Sequence, residues 1–320
     1  MRAKSLDREC LEYSLRLAEI VRRTSEGCEC ALLSGGIDTT FTLASLGWRA
    51  AGVRAFTVDL GGEDLRYARS ASEKLGLSLV ILKPGARALL NAVKWATVEL
   101  STIDPVEVAA DTVHYISLTA ARSWGCSCVL SGDGGDELFI GYQFLLERGE
   151  REVEEWLREM ASGGAWLPTV YIGERLGLRV LAPLYTWEAR RLALETPLEC
   201  LKGPGVGKWI LRLYLDLAGL RDIAWRKKTP VTEGSGSLKM LAELLGNVSP
   251  DPGRVESVLG FKPPSRLHRA LATLLLDHPE AIPPKGPPDP CPVCGRPTRR
   301  GFCRFCGAYF RGGRLSIHMA

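Results

Sequence analysis

Ala31-Leu32-Leu33-Ser34-Gly35-Gly36-Ile37-Asp38-Thr39 runs from a short apolar strand through a glycine pair into the first turn of a helix. Two glycines let the backbone approach a polyanion closely, and a helix N-terminus offers free N–H donors. Ser34 and Thr39 add hydroxyls. Asp38 would repel a phosphate unless a cation lay between them, so an acid here implies a Mg2+-bridged pyrophosphate. No lysine follows the glycines, so the stretch is not a Walker P-loop. Gly207-Lys208 does not supply one either, because Trp209 stands where Ser or Thr is needed.

Outward from this turn the chain alternates. Residues 55–60, 77–82 and 126–130 read as further apolar strands, and 39–46, 64–75 and 106–124 as helices. Strands separated by helical segments predict an α/β fold, a parallel sheet with helices on both faces. A first helix is expected from Ser5, with Leu6, Leu11, Leu15, Leu17, Ile20 and Val21 as its apolar face. The sheet core reaches to about residue 150, and a helical subdomain resting on its C-terminal edge is expected over 151–276. AIPPKGPPDP (281–290), with five prolines, reads as a stiff linker. It separates a main domain (1–280) from a C-terminal segment (291–320).

A second loop, Ser131-Gly132-Asp133-Gly134-Gly135-Asp136-Glu137-Leu138-Phe139, also follows an apolar strand, and Gly141-Tyr142 comes just after. Three acids in a glycine-rich strand exit call for a cation, and their spacing does not fit an EF-hand.

These motifs resemble those of asparagine synthetase and its relative β-lactam synthetase, which carry SGGxDS followed by SGEGxDELFxGY. In the family's order, this chain continues with Gly207-Lys208-Trp209, then Arg226-Lys227-Lys228, then Glu233-Gly234-Ser235-Gly236. The resemblance covers roughly residues 10 to 240. It implies a PP-loop, adenine nucleotide α hydrolase-like sheet in which the first and fourth strands are neighbours, so that both loops leave at one carboxyl edge. It also implies an ATP-dependent, AMP-forming ligase in which a carboxylate becomes an acyl-adenylate and an amine or ammonia then attacks. Ser34, Gly35, Gly36, Asp38 and Thr39 would hold the pyrophosphate, and Leu32 and Gly132 would lie against the adenosine. Asp38 and Asp136 would bind Mg2+, Lys208 and Lys228 would neutralise the phosphates, and Asp133 would take the amine's proton.

The chain departs from that pattern at three places. Asp133 stands where the family has Glu. The family's RVPFLD appears as Leu181-Ala182-Pro183-Leu184-Tyr185-Thr186, without its Arg and Asp. Arg2 stands where a glutaminase nucleophile would be Cys, so free ammonia, a separate glutaminase subunit or a substrate amine is the expected donor.

Cys291, Cys294, Cys303 and Cys306 form C-x2-C-x8-C-x2-C with Gly295 and Gly307 after the pairs. This spacing predicts a closed, structural zinc ribbon, Zn2+ supplying the stability that so short a segment lacks. From Lys285 onward there are seven Lys or Arg and one acid, a net +6, which leaves −2 for the rest of a chain of net charge +4. A basic ribbon supports a second reading, a PP-loop tRNA-modifying enzyme that adenylates an RNA base or an attached carboxylate, or thiolates it.

Cys28 and Cys30 share one strand face, as do Cys126 and Cys128. They read as buried small hydrophobes, with an inter-strand disulfide or an iron–sulfur site as alternatives. The ten cysteines of a cytoplasmic chain argue against a secreted disulfide framework. That location is expected because the N-terminus lacks a signal-like apolar stretch and no apolar run is long enough to span a membrane. Trp48, Trp95, Trp124 and Trp156 are expected to pack, and His114 to sit in a helix.

Overall fold

The computed structural model describes residues 2–248, 251–311 and 313–318, with the side chains of 2–6 and 311 set aside. The chain divides into two compact units. One comprises Met1–Asp59, Glu63–Leu82 and Ser117–Thr229; the other comprises Leu60–Gly62, Lys83–Ile116 and Pro230–Ala320.

The first unit is built on a five-stranded sheet of β1 (Cys30–Leu32), β2 (Arg54–Val58), β3 (Ser78–Leu82), β4 (Cys128–Leu130) and β5 (Arg179–Leu181). Its order is β3-β2-β1-β4-β5 and every pairing is parallel. β1 and β4 are neighbours, with Cys30 opposite Val129 and Ala31 opposite Leu130. Their side chains are fully buried, which explains why both read as short unbroken apolar runs. β5 lies inside the stretch expected to be helical; three residues are too few for a periodic signal.

Helix α1 (Arg2–Thr24) opens before Ser5, so Ser5 does not cap it. The Leu6 side chain lies outside the described residues. The buried stripe of α1 is Cys10, Ser14, Leu17, Ala18 and Val21. Leu15, expected on that face, is 48% exposed, because the 3.6-residue period rotates it away from Leu17 and Val21. Helix α2 (Ile37–Ala44) follows the first glycine pair, and α3 (Asp64–Leu75) packs on β2 and β3. Gly76 ends α3 in the left-handed conformation, with its N–H on the Ser72 carbonyl.

The second unit is helical around the cysteine-rich hairpin. It contains α4 (Ala86–Glu99), absent from the sequence expectation, and most of α5 (Pro105–Ser123). Asp104 caps α5, its carboxylate accepting from the Val106 N–H at 3.0 Å. No regular element covers 282–290. Among the described residues, no helix is long and apolar enough to cross a membrane.

Six cysteines form disulfides, Cys10–Cys200, Cys28–Cys128 and Cys30–Cys126. This corrects the preferred reading of Cys28, Cys30, Cys126 and Cys128 as buried small hydrophobes in favour of the inter-strand disulfide held as an alternative: adjacency of β1 and β4 brings two C-x-C segments together. Trp48 is 88% exposed and does not pack. Trp95 stacks on Tyr115, and Trp156 packs against Tyr142 and Phe144. Trp124 is 54% exposed with the Arg54 guanidinium over its ring. His114 lies in α5 beside Asp111.

Candidate active site

Both glycine-rich loops leave the carboxyl ends of the neighbouring strands β1 and β4, the switch point where open α/β sheets bind nucleotides. Gly35 has φ +71°, and a Cβ there would lie 2.4 Å from the Ala68 backbone nitrogen. Glycine is therefore required, both for the turn and for the approach of α3. Ser34 Oγ accepts from the Gly36 N–H and lies 3.3 Å from Thr39 Oγ1. Leu32 is buried in β1 directly before this turn.

The second loop packs against the first with no side chain between them. A Cβ at Gly132 would lie 2.9 Å from the Thr39 nitrogen, and one at Gly135 would lie 2.2 Å from Asp38 Oδ1. These glycines bring the carboxylates of Asp38 and Asp136 to a common pair of lysines. Lys208 Nζ binds Asp38 Oδ2 and lies 2.7 Å from Asp136 Oδ1. Lys228 Nζ lies 2.5 Å from the same Asp136 oxygen and over the Tyr142 ring.

Lys208 is aimed inward by its backbone. The short hairpin Lys202–Gly203/Val206–Gly207 delivers it in the left-handed region at φ 59°, with its N–H on the Phe139 carbonyl at 2.8 Å. Gly207 and Gly141 make the room. A Cβ on Gly207 would meet the Ile140 carbonyl at 1.7 Å, and one on Gly141 would meet Lys208 Cε at 2.3 Å.

Burial raises the Asp38 carboxyl despite the Lys208 ammonium. Burial pushes Asp136 the same way, but Lys208 and Lys228 outweigh it and hold that carboxyl below the usual range. Burial works to lower Lys208, yet Asp136 and Asp38 together raise it. Lys228 is lowered, first by burial and then by the charge of Lys208. The cluster is thus a compact set of two acids and two cations. Among the described residues, the buried Asp38 Oδ1 has no hydrogen-bond partner. A hard cation bound by oxygen ligands would satisfy that atom, so the donor set fits Mg2+.

Asp133 projects toward a different group. It accepts a 2.5 Å hydrogen bond from Thr169 Oγ1, at the start of the helix Pro168–Arg175. Next to it, Gly134 (φ +93°) packs on Tyr185, whose hydroxyl donates to the Met160 carbonyl and accepts from the Ala165 N–H. Tyr185, in the Leu181–Thr186 segment, is therefore held in place at both sides of its hydroxyl.

The sequence reading missed Arg226 as a site residue. It is buried, donates to the Gly35 carbonyl at 2.9 Å and to Asp64 at 2.9 Å, and stacks over Tyr67. It clamps the first glycine turn. Burial raises the Asp64 carboxyl to about 6 in spite of Arg226. The Arg-x-Lys spacing to Lys228 was the available signal; Thr169 and Asp64 had none.

The asparagine synthase family model matches residues 16–182, just over half of the chain. The chain belongs to the asparagine synthase family. Among curated members, the glutamine-hydrolysing asparagine synthetase of Asparagus officinalis is 25% identical over 238 residues, covering 64% of this chain and 39% of that relative. Asparagine synthetase 1 of Saccharomyces cerevisiae is 27% identical over 232 residues, with 63% and 38% covered. Asparagine synthetase B of Escherichia coli is 25% identical over 236 residues, with 64% and 41% covered. This asparagine synthase family chain thus aligns with about two fifths of the length of those relatives. A solved U34-tRNA thiolase, NcsA from Methanococcus maripaludis with its [4Fe-4S] cluster, covers 90% of this chain and 85% of its own at 13% identity and a TM-score of 0.35. That superposition carries no functional argument.

The family member's second unit holds the four tail cysteines. All four are buried, and their sulfurs lie within 4.8 Å of one another, as a single metal ion requires. Gly295 and Gly307 take positive φ, and the Val293 N–H points at Cys291 Sγ. The second knuckle is keyed into its own unit. His268 is fully buried, between Ser265 Oγ and the Cys306 carbonyl. Thr102 donates to the Arg304 carbonyl at 2.6 Å, Arg304 pairs with Glu107 at 2.7 Å, and His318 pairs with Asp104 at 2.9 Å. Of the basic tail, Arg296 is buried over Phe305, so part of that charge is structural.

Proposed function

We propose that the chain is an ATP-dependent ligase that activates a carboxylate as its acyl-adenylate and passes the acyl group to an amine or ammonia. The observation that carries this reading is the meeting of Asp38, Asp136, Lys208 and Lys228 at the exits of β1 and β4. The Ser34–Thr39 turn offers backbone N–H groups and two hydroxyls to the leaving pyrophosphate. Asp38 and Asp136 would hold Mg2+, which when bound supplies charge neutralisation at the phosphates. Lys208 and Lys228 add cations aimed at the same place, where charge develops as the α-phosphate is attacked.

In the second half-reaction the amine loses a proton as it attacks the acyl carbon. Asp133 is the acid available at the second loop, and Thr169 fixes its orientation. The acceptor differs from aspartate in this reading, because the segment Leu181–Thr186 brings Tyr185 and no charged pair for an amino acid's termini. The buried tetrathiolate set fits Zn2+ in a closed structural role.

ATP–pyrophosphate exchange with Mg2+ tests the proposal, with aspartate, other amino-acid carboxylates and total tRNA as separate acceptors. Exchange with any of them supports the ligase and identifies its acceptor class, and exchange with aspartate would overturn the reading of the Leu181–Thr186 segment. Nucleotide binding without exchange, across all acceptors and also in single-turnover AMP release, would sink it.

A further inference from the structure

We infer that Arg212 is a positioning residue for the proposed adenylation, one buried guanidinium that ties together the two backbone segments carrying Lys208 and Lys228. Its kinetic consequence rests on the ligase reading; its structural consequence does not.

Arg212 lies in the helix Trp209–Leu217, with its N–H on the Lys208 carbonyl at 3.0 Å. That helix is a firm base. Ile210, Leu211 and Leu215 are fully buried, and Ser14 Oγ donates to the Ile210 carbonyl at 2.6 Å. Arg212 itself is 6% exposed. Its Nε donates to the Gly207 carbonyl at 2.9 Å. Its Nη1 donates to the Ala224 carbonyl at 2.6 Å and, at 3.4 Å, to that of Arg226. Gly207 directly precedes Lys208, and Arg226 opens the Arg-x-Lys that ends on Lys228.

Among the described residues Arg212 has no ion-pair partner. Burial works against its charge, and the Asp38 carboxylate works for it. A hydrocarbon side chain would pack this position without that cost. What it could not supply is donors to the carbonyls of two separate chain segments. The planar guanidinium presents its N–H groups in a fixed fork, so it holds the two segments at one spacing. A lysine ammonium is a single point on a flexible stem and cannot bridge both in that geometry.

The two lysines depend on this fork unequally. Lys208 has a second tether, its N–H on the Phe139 carbonyl at 2.8 Å. Lys228, among the described residues, makes no backbone hydrogen bond of its own, and the segment before it is held through Ala224 and Arg226. The side chain of Arg226 in turn donates to the Gly35 carbonyl, so the same fork reaches the first glycine turn through one further residue.

Arg212→Lys and Arg212→Met in the full chain test this in two ways. In amide hydrogen exchange, the N–H groups of Lys208, Trp225 and Arg226 should exchange faster in both variants. The Leu33 N–H, bonded to the Phe56 carbonyl in the sheet, should keep its wild-type rate. In ATP–pyrophosphate exchange, with an acceptor that supports it, kcat should fall by about 10²-fold with KM for ATP nearly unchanged, as misplacement of a group acting in the transition state requires. Arg212→Lys keeps the charge and most of the volume, so it carries both measurements if Arg212→Met folds poorly. Wild-type kcat in Arg212→Lys would overturn the inference, since charge alone would then suffice. Exchange at Lys208, Trp225 and Arg226 that is unchanged, or that rises only in step with Leu33, would overturn it as well. Absence of pyrophosphate exchange in the wild type would remove the ligase reading and leave the amide measurement to decide on Arg212.

Discussion

Lys208 Nζ lies 2.7 Å from Asp136 Oδ1, at the end of a hairpin that holds the lysine in the left-handed region. Lys228 reaches the same oxygen from a partly exposed position. Lys228→Ala should therefore leave the melting temperature nearly unchanged while lowering ATP–pyrophosphate exchange by about 10²-fold or more, as loss of one preorganised charge partner does elsewhere. Asp38→Asn should have the same effect on exchange. Lys208→Ala should also destabilise the protein, by about 3–5 kcal/mol, because it strips a buried cation from buried carboxylates. Calorimetry and exchange on the three variants separate the two behaviours; normal turnover in Lys228→Ala or Asp38→Asn would remove the mechanism.

The absence of a Cβ at Gly135 is as specific as the charges. A methyl group there would stand 2.2 Å from Asp38 Oδ1. Gly135→Ala should displace the Asp38 carboxylate and abolish exchange, with the nucleotide-free protein still folded by circular dichroism. Full activity in that variant would show that Asp38 need not occupy this position.

Six of the ten cysteines are paired here, leaving Cys291, Cys294, Cys303 and Cys306 as thiols. Thiol titration of unreduced protein, unfolded in denaturant with a chelator, should count four. The Cys10–Cys200 link spans 190 residues of sequence. By the loop-closure argument, replacing both with Ser should cost up to about 5 kcal/mol. A count of ten would return these cysteines to the role of buried fillers.

The tail cluster should hold one zinc per chain, and Co2+ substitution should give the absorption of a tetrahedral tetrathiolate. Chelation should unfold the second unit's hairpin, detected as lost hydrogen-exchange protection at the Cys303 and Gly307 N–H groups, which bond within the knuckle. Retained protection after metal removal would make the metal dispensable to the fold.

His318 gives a pH signature. Its hydrogen bond to Asp104 raises its pKa above the ordinary value of 6.5. A base raised on folding contributes stability that is fully present below its unfolded pKa and fades as pH rises through the folded value. The melting-temperature gap between wild type and His318→Gln should thus be largest in mildly acidic buffer and close toward alkaline pH. A gap that is flat with pH would mean the pair contributes no charge.

The legibility of the site followed from how local its chemistry is. Ser34 to Thr39 and Ser131 to Phe139 each encode a complete turn, because glycines, hydroxyls and acids act within a few bonds of one another. Alternation of apolar runs with helical periods likewise gave the parallel sheet, whereas the adjacency of its two motif strands came from the family resemblance alone. Residues 179–181 escaped because a three-residue buried strand has no period of its own. Leu15 and Trp48 were misread because neither hydrophobicity nor helical periodicity alone fixes which side chains face the core.

What the sequence alone determined, then, was an α/β sheet with two glycine- and acid-rich strand-exit loops, which we propose hold a polyanion through a metal, and a cluster of four cysteines in the tail spaced to hold one metal ion. Tertiary structure decided which distant groups complete them. Arg226 clamps Gly35 across 191 positions, Thr169 orients Asp133, Asp104 meets His318, and Cys28 finds Cys128. Those pairings depend on strand order and on glycine-permitted close approach, which are properties of the packed chain and have no signature in any window of sequence.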